Sequence, residues 1–254
     1  MEAKDRLFRI NPILEWLRAS PNRLNKIFVQ KEKGHHRINE IIALARTNHI
    51  PVVFVPRERL DRLHPDHQGV IAFVAEKEYV ELEDLLVKDH PAFLVILDEV
   101  EDPQNIGAII RSAEGAGADG LVLPERHSAG LTGTVATTAA GALAHLKVAR
   151  VTNLARSLAW LKEQGIWVVG AAGESKSRWY EFDYTQPVAI VLGSEGYGLR
   201  ANIKKKCDQL LSIPMLGKVS SLNVSAAAAV FFYEVVRQRL TAENSRNQRR
   251  NVRS

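Results

Sequence analysis

Four continuous apolar runs constrain the fold of this chain more than any other feature: Phe93-Leu94-Val95-Ile96-Leu97, Leu121-Val122-Leu123, Ile166-Trp167-Val168-Val169 and Val188-Ala189-Ile190-Val191-Leu192. A strand with one wet face alternates apolar and polar residues, whereas a strand covered on both faces reads as an unbroken apolar run. Segments of helical spacing lie between most of the runs, at 105–114, 131–140 and 153–164, and a longer one covers 222–240. This alternation predicts an α/β domain with a parallel sheet and helices on both of its faces.

The first 75 residues predict a smaller α/β unit. A helix starting at Pro12 carries Ile13, Leu14 and Leu17, a second carries Ile38, Ile41, Ile42 and Ala45, and short strands read at 26–29, 51–55 and 70–74. A basic loop, 31–37, holds His35 and His36, which read as solvated. The acidic, polar stretch Glu76 to His90 then separates the two blocks. The expected organisation is a small domain over 1–77, a linker over 78–91, a second domain over 92–241 and an unstructured, Arg-rich tail over 242–254.

At 46% hydrophobic and 25% charged residues, the chain excludes a wholly disordered, collagen-like or disulfide-stapled protein. Cys207, alone, fits a reducing compartment; beside Lys204, Lys205 and Lys206 it reads either as a reactive thiol or, more plainly, as a half-buried structural residue. No apolar run reaches the roughly 18 residues of a spanning helix and the N-terminus has no signal-peptide core, so no membrane association and a cytoplasmic location are expected. No His, Cys and carboxylate spacing suits a metal, so none is expected. The net charge of +5 is unevenly placed: residues 1–49 carry ten Lys/Arg against five Asp/Glu, 50–90 five against nine, 91–240 fifteen against fourteen, and 241–254 four against one. Basic ends make a polyanion such as nucleic acid a candidate partner.

Three segments break the pattern of ordinary strand ends. Leu97-Asp98-Glu99-Val100-Glu101-Asp102-Pro103-Gln104-Asn105-Ile106-Gly107-Ala108-Ile109-Ile110-Arg111 sets a polar loop at the end of a buried strand and opens a helix, the place where ligands bind in open α/β sheets. Asn105 and Arg111 are six residues apart and do not share a helix face, so Asn105 reads as sitting at the helix start. Leu192-Gly193-Ser194-Glu195-Gly196-Tyr197-Gly198 has glycines that permit positive φ and close approach to the backbone, with Glu195 suited to a hydroxyl or ammonium. Its G-x-x-G-x-G order is neither a dinucleotide fingerprint nor a phosphate loop, which argues against a nicotinamide dehydrogenase. The third segment, Ile213-Pro214-Met215-Leu216-Gly217-Lys218-Val219-Ser220-Ser221-Leu222-Asn223-Val224, leads into a helix of small residues.

Taken together, D-x-x-x-D-P-x-N-x-G-x-x-x-R, V-L-G-S-E-G-x-G-L and I-P-M-x-G-x-V-x-S-L-N-V-S-x-A resemble the SpoU (TrmH-like) family of S-adenosylmethionine-dependent RNA 2′-O-methyltransferases, from Phe93 to about Leu240. The preceding unit looks like the family's L30e-like substrate-binding domain, the arrangement of its ribosomal-RNA guanosine methyltransferases. Asn11-Pro12-Ile13-Leu14-Glu15 looks like that domain's opening, although Arg9 or Ile10 stands where a Gly often starts it. The resemblance implies a SPOUT fold, a parallel sheet whose C-terminal segment is threaded as a trefoil knot. It implies that Leu192, Gly193, Gly196, Ile213, Met215 and Leu222 hold S-adenosyl-L-methionine, and that Asn105, Arg111, Glu195, Ser221 and Asn223 form the catalytic shell. The family assigns Arg111 to activating the ribose hydroxyl. Because a guanidinium does not give up its proton in proteins, Arg111 can instead stay charged, binding the adjacent phosphate and stabilising the forming alkoxide. The resemblance further implies a homodimer and a ribosomal RNA substrate, with transfer RNA, or a non-catalytic RNA-binding role, as the alternatives.

Overall fold

The computed structural model describes residues 5–31, 36–75 and 77–251; four residues of the basic loop, including His35, lie outside them. The elements are β1 (Asp5–Phe8), α1 (Ile10–Ala19), β2 (Leu24–Gln30), α2 (His36–Thr47), β3 (Val52–Val55), α3 (Arg57–Asp61) and β4 (Val70–Val74). They continue with β5 (Phe93–Asp98), α4 (Pro103–Gly115), β6 (Gly120–Pro124), α5 (Gly133–Thr138), α6 (Ala142–His145), β7 (Lys147–Val151) and α7 (Leu154–Glu163). The last are β8 (Trp167–Ala171), β9 (Val188–Gly193), α8 (Ala201–Lys204), β10 (Gln209–Leu211) and α9 (Val224–Asn251).

Contacts divide the chain into two units. One comprises Met1–Glu78, Ile106–Arg111 and Ala129–His145. Its sheet has the order β1-β4-β2-β3, with β4 antiparallel to β1 and β2, and β2 parallel to β3. Ile13, Leu14, Leu17, Ile38 and Ile41 fill its helical core. At the start of α1, Arg9 has φ 75° and ψ 151°, a conformation nearly confined to glycine that costs a side-chain residue about 1–3 kcal/mol. Its guanidinium Nε donates to Asp66 at 2.8 Å, an ion pair that holds this residue in place.

Residues 129–145 read from the sequence as part of the second domain, yet they pack within this first unit. Missing side chains make that possible. A Cβ on Gly133 would lie 2.3 Å from the Arg6 carbonyl oxygen, and one on Gly141 would lie 2.2 Å from the Glu15 Cβ.

The other unit comprises Tyr79–Asn105, Ser112–Ser128 and Leu146–Ser254. Its six strands are all parallel, in the order β10-β8-β9-β5-β6-β7. Every residue of β5, β6 and β9 is buried, as the unbroken apolar runs require. Leu94, Ile96 and Val191 pack with Leu154, Leu158 and Leu161 of α7; on the other face, Phe93 meets Phe232 of α9 edge to face at 5.6 Å. Burial also settles Cys207: desolvation, with Asp208 nearby, pushes its thiol up to about 12, and it packs as a structural residue against the sheet core.

The segment 242–251, expected to be unstructured, is instead the end of α9. An existing helix extends without a new nucleation cost, and Ala242, Glu243 and the arginines are adequate helix formers. Thr241 Oγ1 donates to the Arg237 carbonyl at 2.8 Å and Ser245 Oγ to that of Thr241 at 2.9 Å, both within the helix.

Gly133→Ala is expected to destabilise the protein by about 1–3 kcal/mol through overpacking. Gly130→Ala, with nothing within 4 Å of the added methyl, should melt like the wild type in thermal unfolding.

Candidate active site

The carboxyl ends of β8, β9 and β10 open on a cavity of about 310 Å³, within the size range of small-molecule sites. Its lining includes all six residues expected to hold the cofactor: Leu192, Gly193, Gly196, Ile213, Met215 and Leu222. Glu195 and Ser221, from the expected catalytic shell, line it too. Asn105, Arg111 and Asn223 are not in its lining. The first turns of α9 close one side with Val224, Ala227 and Phe231, and the strip Ala171 to Glu174, unforeseen in the sequence, supplies another.

The glycine loop after β9 closes on itself. Ser194 N donates to the Gly198 carbonyl at 3.1 Å and Gly198 N to that of Ser194 at 2.9 Å. Gly198 takes φ 65°, and a Cβ on Gly193 would stand 2.1 Å from the Gly198 carbonyl carbon. The close approach that demands glycine at 193 is therefore to the chain's own backbone. Gly196 has open space beside it.

What holds the loop down is an ion pair made to a buried carboxylate. Asp98, fully buried at the end of β5, is in register with Gly193 of β9. It accepts the Arg200 backbone N–H at 2.9 Å and the Arg200 Nε at 2.7 Å, with Nη2 at 2.6 Å; Glu99 takes Nη1 at 3.0 Å. Asp98 stood in the first motif, but its partner 102 residues away had no local signal.

A second set of bonds joins the first motif to the third. Asp102 caps α4, accepting from Gln104 N at 3.0 Å, with Pro103 in the first turn. Asn105, expected at the helix start, lies just inside it and donates through Nδ2 to Asp102 at 2.9 Å. That bond, followed by the Gln104 N–H, holds the Asp102 carboxyl below its ordinary range. Asn105 Oδ1 in turn accepts from Asn223 Nδ2 at 3.0 Å. Asn223 caps α9, accepting from the Ser225 N–H at 2.9 Å and the Ser225 hydroxyl at 2.6 Å. Both polar atoms of the buried Asn105 side chain are thus committed, and neither reaches Arg111. Arg111 is exposed, about 9 Å further along α4 at 1.5 Å per residue and on a different face. Among the described residues it has no hydrogen-bond or ion-pair partner.

Two carboxylates, Glu174 and Glu195, line the cavity. Lys204 donates to Glu174 and holds it below the usual carboxylate range, whereas Glu195 is exposed and unpaired among the described residues. No group of three or more His, Cys, Asp or Glu among the described residues is arranged to hold a metal ion, and no described helix is long and apolar enough to cross a membrane. Backbone and apolar walls for a flat nucleoside, with acidic groups for a cationic tail, fit S-adenosylmethionine.

Comparison with known proteins agrees. Residues 92–233 match the SpoU rRNA Methylase family, and residues 10–80 match the family of RNA 2′-O ribose methyltransferase substrate binding domains. The chain belongs to the SpoU family: it is an RNA 2′-O-methyltransferase that uses S-adenosylmethionine. Among its relatives, YacO of Bacillus subtilis (strain 168), named for the TrmH family of tRNA/rRNA methyltransferases, is 45% identical over 90% of this chain and 94% of that one. The 23S rRNA (guanosine-2′-O-)-methyltransferase RlmB of Shewanella oneidensis is 39% identical over 94% of this chain and 99% of its own. The crystal structure of the SpoU methyltransferase AviRb from Streptomyces viridochromogenes in complex with AdoMet superposes with a TM-score of 0.79 at 28% identity, covering 93% of this chain and 90% of that one.

Gly193→Ala is expected to abolish S-adenosylmethionine binding in calorimetric titration, because its methyl would overlap the Gly198 backbone. Gly130→Ala, outside the cavity lining and with open space beside it, should bind as the wild type does.

Proposed function

We propose that the chain methylates the 2′-hydroxyl of a guanosine in 23S ribosomal RNA. The observation that carries this reading is the similarity to RlmB across 94% of the chain, through the N-terminal unit as well as the methyltransferase unit. YacO's name leaves tRNA or rRNA open, so a transfer RNA ribose is the second reading. In this proposal residues 1–77 bind the RNA, and the basic surplus of residues 1–49 serves its phosphates. The protein acts in the cytoplasm as a homodimer, with α9 contributing to the subunit contact, and the segment after β10 passes through the loop after β9 as a trefoil knot.

Bound S-adenosylmethionine supplies a methyl group on a sulfonium. Leu192, Gly193, Gly196, Ile213, Met215 and Leu222 hold it, while Glu195 and Ser221 give the cavity its polar side. The remaining tasks are to place the ribose hydroxyl in line and to stabilise the charge it develops. Arg111, exposed and without a partner among the described residues, suits the second task as a charged group that also grips the adjacent phosphate. Asn105 is a positioning residue: through Asn223 it fixes the start of the helix whose first turns wall the cavity.

Purified protein with labelled S-adenosylmethionine should methylate a 23S rRNA transcript and leave tRNA transcripts unlabelled; the reverse would establish the second reading. Arg111→Ala should lower methyl transfer by about 100-fold or more, the scale of losing one charge-stabilising donor, with cofactor affinity intact. Asn105→Ala should lose both turnover and cofactor affinity, the latter by roughly tenfold, as expected when a buried amide is left unpaired. Equal losses of affinity and activity in Arg111→Ala would contradict this division of roles.

A further inference from the structure

We propose that Lys26 and Arg59, held over one face of the N-terminal sheet, form a phosphate-binding contact for the RNA strand. This rests on the chain's action on RNA and is independent of which RNA carries the methyl group. The register sets Lys26 opposite Phe73 and Phe28 opposite both Ile71 and Val53, so these side chains share one face. Leu60 of α3 and Leu63 just after it pack against that face, and the two cations lie over its rings. Lys26 Nζ lies 4.5 Å from the Phe73 ring centroid and 5.4 Å from that of Phe28, and Arg59 Cζ lies 4.9 Å from the same Phe28 ring.

Two positive groups over one ring stand no more than about 10 Å apart, roughly one Debye length at moderate salt, close enough to share an anionic partner. None of the described residues supplies it: neither cation has a carboxylate partner. Asp61, on the same helix, is engaged by Arg57 at 3.4 Å and His67 at 3.0 Å. The aromatic rings hold both side chains before any ligand arrives, which lowers the entropy lost on binding. Val53, 40% exposed beside Phe28, offers an apolar shelf for a ribose or base. Two cations held this close, with such a shelf beside the ring they share, match neighbouring phosphates of one strand.

The test is the salt dependence of binding to a 23S rRNA transcript and a tRNA transcript by the full-length protein. In K26Q/R59Q the slope of log affinity against log salt should become shallower by about 1.4 to 1.8, the value for two lost phosphate contacts, on both RNAs, with S-adenosylmethionine affinity unchanged. K26R/R59K, which keeps both charges, should retain the wild-type slope; an equal change in it would trace the effect to folding and overturn the proposal. A wild-type slope in K26Q/R59Q would also overturn it, as would competition by poly-L-glutamate as effective as competition by RNA. The nucleotide methylated is read from the product, so either failure leaves the 23S assignment to its own experiment.

Discussion

The site depends on one buried carboxylate. Asp98 ends the central strand of the six-stranded sheet with no exposed surface, and a buried carboxylate without partners costs several kcal/mol. The chain leaving β9 must therefore return to it, and it does so with Arg200, through the backbone N–H and the guanidinium together. That return brings Gly198 back against Gly193 and closes the loop between them. The pair acts as a clamp that gives the cavity a preformed rim. On the far side Asp102, Asn105 and Asn223 form a hydrogen-bonded relay that sets where α9 begins.

The legibility of the fold followed burial. The strands β5, β6, β8 and β9 could be read because the central runs are apolar on both faces. Three strands could not. β1 holds Asp5 and Arg6, β7 is an edge strand only partly buried, and β10 has three residues. Each is paired by its neighbour and carries little pattern of its own. The end of α9 was missed for the opposite reason: a polar composition suggests disorder, but helix already formed upstream makes extension easy.

The site was legible unevenly. The cavity-lining residues came from the resemblance, and the structure gathers all six of them. Local spacing alone could have suggested only a loose glycine turn. Contacts that span the chain were invisible, since Asp98 and Arg200 are 102 residues apart and Asn105 and Asn223 are 118 apart. The glycines also changed meaning. Gly193 admits the chain's own backbone, and Gly133 and Gly141 admit neighbouring elements of the first unit. The charge is unevenly placed as well: residues 91–240 are nearly neutral and the surplus lies in the ends.

The most direct measurement is a map of 2′-O-methyl positions in ribosomal and transfer RNA from cells with and without the gene. A single guanosine mark in 23S rRNA should disappear on deletion, return with the wild-type gene, and stay absent with an Arg111→Ala copy. An unchanged 23S map, with a ribose mark lost from transfer RNA instead, would contradict the account.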